Sequence, residues 1–438
     1  VRDDELGFDG LPIEAFPLPR NDEASAAVSP PRDAGDIAES FLAEVLRAHR
    51  AVLDVHQSIS DRLLASAESA VAGHLVLPAR PEVPSPRAEP DASRGPTAPR
   101  PVRQLLRPQL PVGDMRMFGT VLEFDGTPGE FPIGSTLLSN FPVPHDAWFH
   151  SEDRSSLANL AWQEIALQAA GKLCDLNEIA LSHIDEDLVL RNLEGRSRLL
   201  RHGSPLGRTV QVRTELLGHT SLPKSALLRF GFAVALDGEP CYEGETVHGV
   251  FTPDVLGRET GLDGGRRVPT WLERQSSPPP VIKAVPSASG EVRLDLIDDA
   301  DIVLGGGDHG AGYVLARKRI DPTAWYFDLH FPGDPVMPGS LGVETLFHAI
   351  RAYGIAAGLT ETMSAPCFAP AFDAELTWKY RGQVLRENDQ IQCEVHLRAV
   401  QREPGRVLLH ADGSLYCDGL RVYQVDGICI ELREGLHR

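Results

Sequence analysis

The 438-residue sequence is short of basic charge. It holds 42 Lys and Arg against 62 Asp and Glu, a net charge of 42 − 62 = −20 at neutral pH. That excludes nucleic acid as an expected ligand, because a phosphate backbone must be met by a basic face. It argues equally against a polybasic membrane anchor. Long apolar runs are missing too. Nothing approaches the roughly 20 residues that cross a bilayer, so no membrane attachment is expected. Cysteine is sparse: Cys174, Cys241, Cys367, Cys393, Cys417 and Cys429 are the full set, and none stands in a C-x-x-C pair. This argues against zinc ribbons, thioredoxin chemistry and a disulfide scaffold, and leaves buried thiols in a reducing cytoplasm as the expectation. The chain opens at Val1 with neither an initiator Met nor a signal-peptide pattern. It reads as a segment of something longer.

What is present has the apolar and charged balance of globular domains, with length for two or three of them. Residues 1–35 are acidic and without periodicity, and read as linker. After Asp36, the apolar positions Ile37, Phe41, Val45, Val52, Val55, Ile59 and Leu63 mark one face of a long helix reaching about Ala65–Ala70. Docking or dimerisation is its expected use; His49 and His56 share that face without a carboxylate or Cys to complete a metal site. Residues 1–77 are thus acidic linker plus amphipathic helix. Residues 78–111 contain ten prolines and form a semi-rigid spacer. A second spacer is expected over 256–287, around Gly264-Gly265 and Pro278-Pro279-Pro280. Two blocks remain, 112–255 and 288–438.

The blocks read as repeats. His150 precedes Glu164 by 14 residues, and His330 precedes Glu344 by 14. Gly203 and Leu206 follow the first glutamate at nearly the spacing with which Gly382 and Leu385 follow the second. Asp237-Gly238 and Asp418-Gly419 continue the register, which puts the period at about 180 residues. Each block has a helix at its glutamate, over Leu160–Leu173 and Ser340–Ala357. Alternating strands follow: Val210–Leu217 and Leu227–Leu236 in block one, Ile391–Leu397, Val407–Leu415 and Leu420–Val425 in block two. The Asp-Gly pairs suit type I′ hairpin turns. A helix against a long antiparallel sheet, without βαβ alternation, is an α+β architecture.

The densest motif is His330-Phe331-Pro332-Gly333-Asp334-Pro335-Val336-Met337-Pro338-Gly339-Ser340-Leu341-Gly342-Val343-Glu344. Its prolines and glycines force a tight loop, and a helix can begin only after Pro338. Gly339 and Ser340 then sit at a helix N-terminus, where unpaired N–H groups and a positive dipole can hold a thioester carbonyl as its oxygen gains charge. His330 is positioned to remove the proton α to that carbonyl. A carboxyl group on the first helical turns could protonate a leaving β-hydroxyl. Asp334 is expected to brace the loop, and Met337 and Trp325-Tyr326-Phe327 to line core or tunnel.

The stretch from Trp325 to Gly342 resembles the 3-hydroxydecanoyl-acyl carrier protein dehydratases, and Trp378-Lys379-Tyr380-Arg381-Gly382-Gln383-Val384-Leu385 resembles their next shared segment. Block one, through Glu164-Ile165-Ala166-Leu167-Gln168, resembles the degenerate partner domain of dehydratases in polyunsaturated fatty acid synthases. The resemblance implies a tandem hotdog fold, each unit a long helix wrapped by an antiparallel sheet. It implies His330 as base, the Gly339 N–H as carbonyl ligand with Ser340 and Val336 beside it, and Glu344 at the family's acidic position. In a single-chain double hotdog, however, the pseudo-twofold would set His330 opposite Glu164. Glu164 is therefore the expected proton donor, with the choice between Glu164 and Glu344 left open. A second site from His150 and Glu344 is formally available, but Glu152–Asn159 replaces the Pro-Gly loop there.

The implied reaction is dehydration of (3R)-hydroxyacyl groups on acyl carrier protein to trans-2-enoyl groups, with trans-2/cis-3 isomerisation left open. The substrate would arrive on a phosphopantetheine arm, with no metal or diffusible cofactor. Carrier domains and other synthase domains are the expected partners, with Arg201, Arg208, Arg381 and Arg386 as candidate docking residues. The double hotdog is an intramolecular pseudo-dimer, with further dimerisation left open. Two rival readings are a hotdog acyl thioesterase, which needs no His in this loop, and a non-catalytic carrier-docking module.

Overall fold

A computed structural model describes residues 107–435 apart from 179–186, 202, 223–224, 258–259 and 286–291. The helix expected after Asp36, and the first spacer up to residue 106, lie outside the described residues. Two long helices dominate: α1 (Asn159–Leu176) and α2 (Gly339–Ala356), offset by 339 − 159 = 180 residues. Each follows a residue in extended conformation, Ala158 or Pro338. Pro338 closes off the preceding loop and lets the helix start at once. Both helices are buried on nearly every face, as suits a helix wrapped by a sheet rather than laid on a surface. Neither these nor any other described helix is long and apolar enough to cross a membrane.

The first half supplies β1 (Val121–Asp125), β2 (Thr136–Pro142), β3 (Val189–Leu199), β4 (Thr209–Leu222), β5 (Ser225–Leu236) and β6 (Glu239–Phe251). The second supplies β7 (Ile282–Ala284), β8 (Asp299–Val303), β9 (Tyr313–Arg319), β10 (Pro366–Pro370), β11 (Glu375–Tyr380), β12 (Gln390–Glu403), β13 (Arg406–Cys417) and β14 (Leu420–Glu434). The strands form one sheet in the order β1-β2-β4-β5-β6-β3-β11-β14-β13-β12-β9-β8-β7, with β10 on β14. Read outward from the β3·β11 seam, the two halves follow matching paths: helix, then one strand at the seam, then a three-strand meander. This is an α+β double hotdog. Both Asp-Gly turns have positive φ at both residues, 52° and 80° at 237–238 and 48° and 83° at 418–419, as a type I′ turn requires.

The seam joins the halves through main-chain pairing, Glu375↔Arg198 to Lys379↔Glu194. Trp378, almost fully buried, donates from Nε1 to Asn192 Oδ1 across it (2.7 Å); burying such a ring contributes on the order of 3 kcal/mol. The main apolar core runs through both halves, and a small second cluster gathers around Val303, Tyr313 and Leu315. The stretch read as a second spacer, 256–287, contains β7 and is tied to the sheet. Trp271 packs on Tyr313 (ring centroids 4.7 Å), its N–H meets Glu394, and Asp263 pairs with Arg421 (2.7 Å). All six cysteines are buried and free.

Candidate active site

The two helices meet by their first turns, and each glutamate reaches the start of the other helix. Ser340 Oγ of α2 donates to Glu164 Oε1 of α1 (2.5 Å), while the Leu160 N–H of α1 donates to Glu344 Oε2 of α2 (2.9 Å). Glu164 therefore faces the second half and Glu344 the first.

One cavity, of about 90 Å³, is lined by Glu164 and Gln168 of α1, by His330, Val336 and Met337 of the loop, by Gly339 and Ser340 of α2, and by Tyr380 of β11. The His330 ring is buried, and its Nδ1 lies 2.9 Å from the Val336 carbonyl. A carbonyl only accepts, so Nδ1 carries the proton and Nε2 is left with the lone pair. Burial lowers its pKa to about 4, against the opposing pull of the Val336 carbonyl. The imidazole is thus neutral near pH 7.

Glu164 is buried, and desolvation raises its pKa, partly offset by hydrogen bonds from Gln168 and Ser340. Gln168, one helical turn on, is fixed on three sides. Its Nε2 donates to Glu164 Oε2 and to the Met115 carbonyl (both 2.8 Å), and its Oε1 accepts from the Met117 N–H (2.8 Å). It positions the carboxyl group.

At the start of α2, the N–H groups of Leu341 and Gly342 turn back to Pro338 O (3.1 and 3.2 Å). Those of Gly339 and Ser340 have no acceptor among the described residues. Two free amides beside a base and an acid can take a carbonyl oxygen that gains charge. A Cβ at Gly339 would stand 2.6 Å from Tyr380 Cε2, so the close approach of ring and helix requires glycine. The loop is braced from the first half: Arg191 of β3 grips both oxygens of Asp334 (2.6 and 2.7 Å) and donates to Gln383 Oε1 (2.7 Å).

The mirror cavity, about 270 Å³, is lined by His150, Glu344, His348, Glu152 and Arg351. His150 Nδ1 donates to the Ser151 carbonyl (2.6 Å), and His348 stands where Gln168 stands in the other half. Helix α1 does begin here without a Pro-Gly loop, but its first amides are already occupied. Those of Asn159 and Leu160 bond to the Glu344 carboxyl group, whose pKa desolvation raises to about 7 against those bonds.

His330, Glu164, Gly339, Ser340 and Val336, all singled out in the sequence, line one cavity, whereas Glu344, left open there as an alternative acid for His330, lines the other with His150. Some residues of the two cavities were missed: sequence reasoning assigned no role to Gln168, Arg191 or His348. The i, i+4 spacing of Glu164 with Gln168 and of Glu344 with His348 was the available signal. Each of the four candidate docking arginines faces a carboxylate: Arg381 with Glu194, Arg386 with Asp328, Arg201 with Glu239 and Arg208 with Asp237. Little net positive charge remains at any of them.

Residues 289–426, the second half of the double hotdog, match the FabA-like domain family. The chain is similar to a component of the polyunsaturated fatty acid synthase of Thraustochytrium sp., 32% identical over 329 residues, covering 69% of this chain and 22% of that protein. It therefore spans about a fifth of that curated relative. Among solved structures it is similar to the 12:0-ACP thioesterase of Umbellularia californica (13% identity, TM-score 0.39, 68% of this chain and 94% of that one). It is also similar to an inactive mutant of CurJ dehydratase (13% identity, TM-score 0.36, 73% and 96%). Likenesses this distant fall on thioesterase and dehydratase alike and carry no argument about the reaction.

Proposed function

We propose that the chain dehydrates (3R)-hydroxyacyl groups carried on acyl carrier protein to trans-2-enoyl groups, at the cavity shared by His330 and Glu164. The observation that supports this best is the pairing itself. A neutral imidazole with its Nε2 lone pair free and a carboxyl group of raised pKa line one pocket with two unpaired helix-start amides. The thioester oxygen accepts from the Gly339 and Ser340 N–H groups. His330 Nε2 takes a proton from C2 as charge builds on that oxygen. The C2–H electron pair becomes the C2=C3 double bond, the C3–O bond breaks, and Glu164 gives its proton to the departing hydroxyl, which leaves as water. Imidazolium and carboxylate remain, and solvent proton exchange restores both.

Glu344 and His150 take no part in this step, because the amides that would bind a carbonyl in their cavity hold Glu344 instead. The substrate arrives on a phosphopantetheine arm of a carrier domain within polyunsaturated fatty acid or related polyketide synthesis. The test offers 3-hydroxyacyl carriers to the unaltered chain and to His330→Ala. Enoyl product from the first, and a fall of at least about 10²-fold in the second, fits a general base. Free acid and carrier thiol in place of enoyl product would mean a thioesterase, and carrier binding without turnover a docking module.

A further inference from the structure

The two cavities are lined by the same turns of their helices. Glu164, Leu167, Gln168 and Gly171 of α1 line the His330 cavity, and Glu344, Phe347, His348 and Arg351 of α2 line its mirror, position for position in the offset of the helices themselves. The i, i+3, i+4, i+7 spacing puts each set on one helical face. The last position breaks the likeness. In the mirror, Arg351 pairs with Glu152 (2.5 Å) and lies over the Phe368 ring (5.8 Å to its centroid). In the His330 cavity a buried glycine stands there, although a helix interior disfavours glycine. A Cβ at Gly171 would come 3.3 Å from Leu110 Cδ2 and from Leu190 Cδ2, so these two leucines close the cavity over bare backbone. Among the polar side chains of the wall, Gln168 is held as described, and Asn192 bonds to Thr246, Val247 and Trp378.

We propose that the substrate's acyl chain runs from the reacting centre along α1 and ends at Gly171, where the missing side chain sets the longest chain the cavity accepts. The inference deepens the dehydratase reading above and rests on it. From Glu164, which meets the leaving hydroxyl at C3, to Gly171 is two helical turns, about 10 Å. Leu167, Leu190 and Leu110 flank that stretch, and burying methylenes against them is favourable. A side chain at 171 would take the place of the chain's last carbons. The mirror cavity is larger, but at this point it offers a chain an ion pair whose remaining hydration would have to be stripped. Of the two cavities, only the first offers an apolar path along its helix.

The experiment measures kcat/KM with saturated 3-hydroxyacyl carriers of graded length for the unaltered chain, Gly171→Ala, Gly171→Val and Leu110→Ala, with thermal melting of each. In the unaltered chain kcat/KM should fall for acyl groups reaching more than about 10 Å beyond C3. Gly171→Ala should move that fall to shorter chains and Gly171→Val further still. The longest chains accepted before should lose about ten-fold, and the shortest should be unchanged. Leu110→Ala, at a half-buried residue outside the helix, should move the fall to longer chains, and this variant decides the matter should the valine one unfold. Equal losses at every length in the Gly171 variants would place that residue beside the carrier arm and overturn the inference. A length profile that Leu110→Ala leaves unchanged, or that stays level throughout in the unaltered chain, overturns it too. Turnover at no length overturns the dehydratase reading itself, and this inference with it.

Discussion

At the scale of single residues, desolvation acts in opposite directions on the two groups proposed to exchange protons with substrate. It strips His330 of its proton, with a pKa near 4, and makes Glu164 hold its own more tightly. Each is thereby shifted toward the form its role demands. The base works only unprotonated and the acid only protonated. Rate should therefore rise as pH climbs through about 4, hold level, and fall as pH passes through the raised pKa of Glu164. A kcat/KM profile checks this; an acidic limb at the ordinary histidine value of about 6.5 would mean a solvated imidazole. Both residues were legible in the sequence, His330 from its Pro-Gly loop and Glu164 from its register with Glu344. Gln168 was not. Gln168 sits in plain view in the run after Glu164, but its role depends on carbonyl and amide groups of Met115 and Met117, some fifty residues upstream.

At the scale of elements, the loop before α2 is held from outside. Arg191 and Asp334 expose only 11% and 19% of their side chains, and they join β3 of the first half to the loop of the second. Arg191→Leu strands a largely buried carboxylate. It should cost about 2–3 kcal/mol in chemical denaturation and lower kcat by loosening the His330 loop, with Arg191→Lys intermediate because it loses the two-point grip. Unchanged stability in the Leu variant would mean that the pair braces nothing. The helices were read from sequence to within three residues of their ends. The strands were cut short. β4, β12 and β14 carry register shifts at Leu216/Gly218, Leu397/Ala399 and Val425/Ile428. A bulge inverts the in–out alternation, so a period-two reading stops there although the strand continues. β3 escaped entirely. Arg191, Asn192, Glu194, Arg196 and Arg198 make it polar along its length, since it buries its backbone in the seam rather than an apolar face in the core.

At the scale of the whole molecule, the crossing of the halves decides what each one does. The repeat period and the family likeness carried the double hotdog, and the pseudo-twofold that follows carried the expectation that His330 would meet the other half's glutamate. No residue in the seam advertised that pairing; it emerges from two helices meeting by their first turns. The first half, lacking a Pro-Gly loop, is then a working part of the proposed site, contributing Glu164, Gln168 and Arg191. The second half contributes His330 and the free amides. The most direct measurement compares Glu164→Gln with Glu344→Gln in dehydration of a 3-hydroxyacyl carrier, with thermal melting to confirm that both variants fold. Loss of at least about 10²-fold in kcat for Glu164→Gln, with Glu344→Gln close to the unaltered chain, is the expected result. Full activity in the first variant and collapse in the second would contradict the account.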